Sequence, residues 1–396
     1  MSFSNAVSFL LVAIMVAAPA ASADEDSDAF IEVKGSDFID WCDDTLCLMP
    51  AMDFYYTRVD GINYSIGIQY LNDRTLHPRV SAIRGWMSAR EEGSYRVDFE
   101  QPILSRDGFS FGVRLYDQTA WSREDAERIT DLGNNLNAFF ARRDYRDYYR
   151  REGVTLFANM IATDALTLRI EHRNDLLSSL ETKESVWSVF ERDEDWRPNP
   201  RLETGTQGSA LPFEGRMVSY VGTIVYDSRE EYTHRGWLVR AVLEFSGGGL
   251  GGDYDFDKYY LELRRPLRLS PTQTLDLTAS WGTGVGEDYP SHKLFHLGGP
   301  GDLRGHDYKS FAGKNLLFGR AEYGVDLWPD PIIKTIFFLD SGSVWYSGDD
   351  AASEFRHDFG IGFKLDLPTL GEVRVDVARA ATSEDSDIFV YFDVEY

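Results

Sequence analysis

Apolar and polar residues alternate one by one through segments of about ten residues, and this pattern constrains the fold more than any other feature of the chain. In 355–367, FRHDFGIGFKLDL, every odd position except His357 is apolar, and every even position is charged or glycine. The same alternation runs through 274–281 and 372–378. Since successive side chains of a strand point to opposite faces, these segments predict strands with one apolar and one polar face.

Two architectures accommodate such strands. In a soluble sandwich the apolar face packs into a core, whereas in an outer-membrane barrel it meets lipid and the polar face lines the lumen. The segments have the length of a tilted spanning strand. Aromatic residues recur near strand ends, as membrane-interface girdles require (Trp237, Tyr259, Trp281, Tyr323, Tyr396). The polar faces carry full charges of both signs (Arg240, Glu244, Arg264, Glu322). We therefore favour the barrel.

The alternating segments predict an all-β fold, a 16-stranded antiparallel transmembrane β-barrel over residues 52–396 with long extracellular loops. Bacterial barrels have even strand numbers, short periplasmic turns and longer outer loops. The predicted strands lie near 52–59, 62–70, 78–88, 94–102, 108–117, 149–159, 164–173, 216–227, 236–245, 255–266, 271–283, 313–327, 331–343, 355–367, 371–380 and 386–396.

The longest gaps between strands test this count. They are 118–148, 174–215 and 284–312, and they follow strands five, seven and eleven. With both chain ends in the periplasm, connections after odd strands face outward, which agrees with the position of these gaps. Within the first gap, Ser122 and Asp125 resemble a capping box and predict a helix. Within the second, the apolar stretch 186–190 predicts a small outer hairpin.

The N-terminus predicts export. Residues 1–23 are largely apolar and end in Ala21-Ser22-Ala23, typical of a signal peptide with a small-residue cleavage site. The alternative, a membrane anchor, needs a longer apolar run. Residues 24–51 would then form a short periplasmic segment, too short for a folded domain. These features place the chain in the bacterial outer membrane.

The chain contains two cysteines, Cys42 and Cys47. An exported protein meets an oxidising compartment, which favours a short-loop disulfide between them. A zinc site is the weaker reading because no histidine lies nearby to complete it. We predict no metal and no cofactor.

The composition and motifs argue against two further classes of function. With 65 acidic and 40 basic residues the net charge is −25, which argues against a nucleic-acid partner. Residues 108–112, GFSFG, match a nucleophile-elbow string, but that motif needs a strand–turn–helix context. Here Ser110 lies in an alternating strand and would face the lumen, so we predict that the protein is not an enzyme.

The luminal polar residues therefore become the candidates for function. The alternation places Glu322 and Asp340 on the inner faces of strands twelve and thirteen. Two carboxylates in one lumen require a cation. Arg304, within GGPGDLRGH at 298–306, lies in the sixth outer loop, which enters that hairpin. Arginine supplies a planar fork of donors suited to carboxylates, and the surrounding glycines allow a tight path. The alternative is a mobile, solvated loop.

Two motifs resemble those of a known superfamily, the BamA/TamA-type outer-membrane assembly proteins and two-partner-secretion transporters, also called bacterial surface antigens. One is the Arg-Gly-aromatic loop tip, here Arg304-Gly305-His306, and the other is Asp-x-Gly of strand thirteen, here Asp340 and Gly342. The resemblance implies that the loop folds into the lumen, where Arg304 pairs with Asp340 and Glu322 is a second acceptor. The chain departs from the family pattern in having His306 as the aromatic residue and in showing no POTRA domain.

The resemblance also implies a function. The barrel would insert or transport proteins or lipids by opening a lateral seam between strand one and strand sixteen. Phe392, Val394 and the terminal Tyr396 would form the seam edge and assembly signal. Expected partners are outer-membrane lipid and lipopolysaccharide, together with client proteins or a periplasmic partner, around a monomeric barrel. The alternative is a passive channel closed by an inward-folded loop, and a barrel phospholipase is disfavoured because no convincing catalytic set is present.

Overall fold

Sixteen antiparallel strands form the wall of a β-barrel in the computed structural model. The structure describes residues 41–42, 46–72, 76–103, 108–122, 128–190, 195–202, 215–230, 234–329, 332–346, 355–367, 371–381 and 387–395. Its main sheet contains 17 strands, of which one is the two-residue strand Trp41–Cys42, and the others number sixteen. They are β1 Leu46–Thr57, β2 Gly61–Asn72, β3 Arg79–Met87, β4 Glu92–Pro102, β5 Phe109–Trp121, β6 Tyr148–Thr163, β7 Leu166–Ser179, β8 Gly215–Asp227, β9 Leu238–Ser246, β10 Asp255–Ser270, β11 Gln273–Asp288, β12 Asn315–Pro329, β13 Ile332–Trp345, β14 Arg356–Leu367, β15 Gly371–Ala380 and β16 Phe389–Glu395.

Side-chain exposure follows the alternation of the sequence. In β13, Phe337 and Leu339 are each 51% exposed, whereas Phe338 and Asp340 are 4% and 0% exposed. Exposed apolar side chains on one face and buried polar ones on the other are what a lipid-facing wall requires. The predicted fold class, strand number and strand order are thus confirmed.

The first strand begins earlier than predicted. We expected it at residue 52, but β1 starts at Leu46 and pairs continuously with β2 from Leu46↔Asn72 onward. The sequence LCLMPA at 46–51 lacks alternation and contains Pro50, which argued against a strand. Even-numbered residues of β1 turn their backbone groups away from β2, since Phe54 and Tyr56 bond elsewhere. Pro50 therefore removes no bond from the β1–β2 ladder.

The long outer connections contain the remaining elements. Helix α1 spans Asp131–Ala141 between β5 and β6, and its N-cap is Thr130. The predicted capping box of Ser122 and Asp125 involves residues 123–127, which lie outside the described part of the chain. The segment 186–190 forms no hairpin strands in the part that the structure describes; instead the Val189 and Phe190 amides donate to the carbonyls of Phe139 and Phe140. Loop 6, residues 289–314 between β11 and β12, contains the short pair Phe295–Leu297 and Phe311–Gly313.

Short helical turns lie at Gly248–Leu250 and Ser291–Lys293. Among the described residues, no helix combines the length and the apolar character needed to cross a membrane.

Candidate functional site

Loop 6 lies in the barrel lumen. Leu303 is 0% exposed and Arg304 is 2% exposed. Its aromatic residues pack on glycines of β11, where there is no room for a side chain: a Cβ on Gly282 would lie 2.4 Å from the Phe295 ring. Gly301 adopts a φ of +87°, a conformation that favours glycine. The path of the loop therefore depends on glycines both in the loop and in the wall.

Arg304 binds three carboxylates on three strands. Its Nε and one terminal nitrogen donate to the two oxygens of Asp340 at 2.7 and 2.9 Å, which is the bidentate arrangement expected for a guanidinium. The other terminal nitrogen donates to Glu322 at 2.8 Å and to Asp376 at 2.7 Å. The guanidinium carbon lies 3.4 Å from the centre of the Phe338 ring. Arg304 thus joins β12, β13 and β15.

Two further arginines share these carboxylates. Arg320 donates to Asp340 at 2.7 Å, and Arg374 bonds to both Glu322 and Asp376 at 2.6 and 2.9 Å. Burial alone would lower the pKa of the Arg304 guanidinium, but Asp340, Glu322 and Asp376 together raise it above its usual range. Arg304 therefore remains charged in the lumen, where several carboxylates surround it.

The residues after Arg304 extend the contacts to β14. The backbone amide of Gly305 donates to Asp358 at 2.6 Å, and the His306 ring nitrogen Nδ1 lies 3.0 Å from the same carboxylate. A Cβ on Gly305 would lie 2.4 Å from the backbone of Arg379 and Ala380, so only glycine fits there. The His306 ring packs edge-on against Phe311.

Gly342 has a steric role. A Cβ at this position would lie 2.8 Å from Leu297 of loop 6. The structure thus brings Arg304, Gly305, His306, Glu322, Asp340 and Gly342 together at the loop 6 tip, residues 298–306.

Sequence reasoning missed Asp358 and Asp376. Both lie in strands that were predicted correctly, and both fall on the polar face of the alternation. A search of the inner faces of β14 and β15 for carboxylates would have found them. What the alternation cannot show is how far the loop tip reaches around the wall.

Helix α1 lies at the boundary between β1 and β16, which we call the seam. Backbone registers join every neighbouring pair from β1/β2 to β15/β16, with local shifts in β6/β7, β10/β11 and β12/β13. Within the described residues no register joins β16 to β1, and the seam edge of β1 pairs with Trp41–Cys42 at Cys47 and Leu48. At β1, the side-chain amide of Asn135 accepts from the Tyr56 amide at 3.0 Å and donates to the Phe54 carbonyl at 3.3 Å. An asparagine side chain here makes the bonds that a neighbouring strand would make.

Thr130, the N-cap of α1, and Asn137 within the helix bind β16 in the same way. The Asn137 side chain donates to the Phe392 carbonyl at 2.8 Å. The Thr130 hydroxyl lies 2.6 Å from both the Val394 carbonyl and the Asp393 carboxylate. The approach is so close that a Cβ on Gly133 would lie 1.8 Å from an Asp393 oxygen. Side chains of one segment, 130–137, thus satisfy backbone groups of Phe54 and Tyr56 in β1 and of Phe392 and Val394 in β16.

Other predicted residues have different surroundings. Phe392 is 37% exposed and Val394 is 6% exposed, whereas Tyr396 lies outside the described residues. The backbone register places Cys42 opposite Cys47, but their side chains lie outside what the structure describes, so the disulfide stays a prediction. Ser110 lies within β5 and donates to Glu100 at 2.5 Å, so it lacks the strand–turn–helix context of a nucleophile elbow.

Comparisons with known proteins agree with this architecture. A family model described as the Omp85 superfamily domain matches residues 79–393. The outer membrane protein assembly factor BamA of Nitratidesulfovibrio vulgaris is 28% identical over 165 residues, which are 37% of this chain but only 20% of that protein.

Two solved structures are similar at low sequence identity. BamA from Haemophilus ducreyi lacking POTRA domains 1–3 is 12% identical, with a TM-score of 0.58 over 88% of this chain and 69% of that one. CdiB from Acinetobacter baumannii is 10% identical, with a TM-score of 0.46 over 89% of this chain and 60% of that one. Only the first structure, with a TM-score above 0.5, supports the fold. At sequence identities this low, neither structure shows an activity of this chain.

Proposed function

This chain belongs to the Omp85 superfamily, and we propose that it acts in the bacterial outer membrane as an assembly or translocation barrel. In this role it aids the insertion or transport of proteins or lipids through the seam between β1 and β16. It catalyses no covalent reaction. The loop 6 tip, docked on Glu322, Asp340 and Asp376, stabilises the barrel as a structural lock.

The observation that supports this proposal is the way in which α1 holds the seam. Elsewhere the strands are joined by long backbone ladders, whose bonds would have to break together. At the seam, the described hydrogen bonds from α1 and its N-cap to the strand backbones come from the side chains of Thr130, Asn135 and Asn137, and Phe139 and Ile129 pack beside Tyr56 and Tyr391. The inner end of the β1 edge pairs only with the two-residue strand Trp41–Cys42 within the described residues. A typical hydrogen bond contributes only about 1 kcal/mol net. A few such bonds allow the seam to open at far lower cost than a full ladder.

An opened seam has the chemistry to receive a client. When α1 withdraws, the edges of β1 and β16 present unpaired backbone donors and acceptors, which are a template for an incoming strand. The curated relative is named an outer membrane protein assembly factor, which supports the same class of function.

The proposal extends to partners. The lipid-facing side chains would contact outer-membrane lipid and lipopolysaccharide around a monomeric barrel. The part of the expected periplasmic segment that precedes β1, residues 24–45, would recruit a periplasmic partner. Crosslinking from residues 30–45 in cells tests the last point, since it identifies what that segment touches.

Depletion of the protein tests the function directly. We expect lower levels of other outer-membrane proteins if the clients are proteins, or more phospholipid on the cell surface if they are lipids. Unchanged levels of both would refute the proposal.

A reversible disulfide between α1 and β16 then tests whether the function requires opening of the seam. Thr130→Cys and Asp393→Cys introduce thiols where two side chains touch, in a background in which Cys42 and Cys47 are replaced by serine. We expect the oxidised form to fail in complementation and the reduced form to succeed, whereas equal complementation by both would exclude opening at the seam.

A passive channel is the second candidate. The observation that favours it is the charged inner wall, where Arg96, Asp98 and Arg114 form one ion-paired row. If the protein is a channel that loop 6 closes, deletion of residues 292–308 will raise single-channel conductance steeply in planar bilayers, and depletion will leave client levels unchanged.

A further inference from the structure

Three consecutive residues before α1 connect the loop 6 tip to the last strand. Arg128 binds loop 6, Ile129 packs beside Tyr391 of β16, and Thr130 bonds to the end of β16. Only Ile129 and Thr130 therefore separate Arg128, which contacts loop 6 in the lumen, from the first residue of α1 at the seam. This short distance leaves little slack between the two sites.

The first contact, from Arg128 to loop 6, is extensive and buried. The Arg128 guanidinium forms an ion pair with Asp302 at 2.7 Å and donates to the His296 and Gly298 carbonyls at 2.5 and 3.3 Å. The side chains of Arg128 and Asp302 are only 6% and 9% exposed, so solvent screens the pair weakly. A Cβ on Gly301 would lie 2.3 Å from the Arg128 Cα, which means that the two backbones touch.

Asp302 is itself part of the fold of the tip. One of its carboxylate oxygens accepts from the Gly298 and Leu303 amides, both at 2.6 Å. Its backbone carbonyl accepts from Arg320 at 3.0 Å, and Arg320 also binds Asp340. Any displacement of Arg304 from its carboxylates moves Leu303 and Asp302, and therefore the partners of Arg128.

A second route reaches the other side of the seam. Lys309 of loop 6 binds Asp147 at 2.7 Å, and Asp147 binds Arg58 at 3.2 Å. The Arg58 amide, just after β1, donates to Asp144, which accepts from Asn134 of α1 at 3.2 Å. Loop 6 is thus connected to the outer end of β1 as well as to β16.

We propose that the loop 6 tip and α1 form a single latch, in which the Arg128–Asp302 pair transmits the state of the Arg304 lock to the seam. Release of Arg304 loosens the hold of α1 on β16, and docking of Arg304 restores it. Arg128 is a positioning residue: it binds neither a client nor the carboxylates of the lock. This inference deepens the proposed function and rests on it.

Hydrogen–deuterium exchange of the full chain in lipid nanodiscs tests the latch without any client. Arg304→Ala should raise exchange in 131–141 and 389–395, distant from the mutation. Arg128→Ala should raise exchange in the same two segments. We expect increases of roughly tenfold, since the free energy of a charged hydrogen bond converts to such a factor in local opening.

The double variant is decisive, because the effects of two substitutions in one coupled network are not additive. With Arg128→Ala and Arg304→Ala together, exchange in 131–141 should be no faster than in the faster single variant. Full additivity of the two effects on exchange would overturn the proposal. So would the finding that Arg304→Ala speeds exchange in 298–306 alone. If Arg304→Ala does not fold, Arg304→Lys replaces it, since lysine keeps the charge but loses the fork.

Two further variants separate a positioning role from a general loss of packing. Asp302→Asn keeps an oxygen for the Gly298 and Leu303 amides but removes the ion pair, so it should reproduce Arg128→Ala. Arg240→Ala removes a luminal arginine of β9 that pairs with Glu262 of β10 at 3.4 Å, and it should leave 131–141 unchanged. Equal effects of Arg240→Ala and Arg128→Ala would refute the proposal. Because exchange needs no client, a failed depletion test would leave the latch itself standing.

Discussion

Replacement of Arg304 by alanine is the strongest test of the lock. It removes the donors to Asp340, Glu322 and Asp376 at 2.7–2.9 Å, together with the contact to Phe338. Asp340 is 0% exposed, so water cannot replace the lost guanidinium without entering the site. We expect a less stable barrel whose loop 6 leaves its carboxylates.

The size of the loss in stability depends on which cations still bind the three carboxylates after Arg304 is removed. Removing one partner of a buried ion pair typically costs about 3–5 kcal/mol because a charge is left without compensation. Here Arg320 still neutralises Asp340, and Arg374 still binds Glu322 and Asp376. The loss should therefore lie near the lower limit, about 3 kcal/mol. At ~2 °C per kcal/mol this lowers the unfolding temperature by about 6 °C.

Heat modifiability on semi-native gels measures this change, with a fixed heating time because barrel unfolding is kinetically controlled. Arg304→Lys should fall between wild type and Arg304→Ala, since an ammonium cannot form the bidentate pair. Arg240→Ala is the matched control, because its partner Glu262 also binds Arg264. An unchanged temperature for Arg304→Ala, or an equal shift for Arg240→Ala, would refute the reasoning.

Three further predictions follow from individual contacts. Gly305→Ala should destabilise the barrel by about 1–3 kcal/mol through overpacking against the β15 backbone, whereas Gly249→Ala, where a Cβ meets nothing within 4 Å, should not change the gel transition. Cys42 and Cys47 should resist alkylation until the protein is reduced; free labelling of both under native conditions would exclude the disulfide. Although burial opposes it, Lys309, Arg197 and Arg58 hold the pKa of Asp147 below its usual range. Asp147 therefore adds stability above about pH 4 that is lost as the pH falls through the lowered pKa, so the gel-transition difference between wild type and Asp147→Asn should narrow below pH 4 and a constant difference would contradict this.

Much of the architecture was predictable from period-two alternation. It located every barrel strand because each wall residue faces either lipid or lumen, and lipid-facing residues are apolar whereas lumen-facing residues are polar. It also placed Glu322 and Asp340 on inner faces next to the loop that holds Arg304. The start of β1 was missed because 46–51 lacks alternation and contains Pro50, whose absent amide proton faces the seam side.

The order of residue types along the chain is enough to specify the wall of this barrel and the charges that line it. The position of α1 at the seam is visible only in the folded protein, where Asn135 contacts Phe54 and Tyr56 and Asn137 contacts Phe392. The asparagines of this helix carry no period-two signal, and their partners lie far away along the chain. The link from Arg304 through Asp302 and Arg128 to β16 has the same origin. Periodicity records which face a residue occupies, whereas contacts between distant loops arise only when the barrel brings them into one lumen.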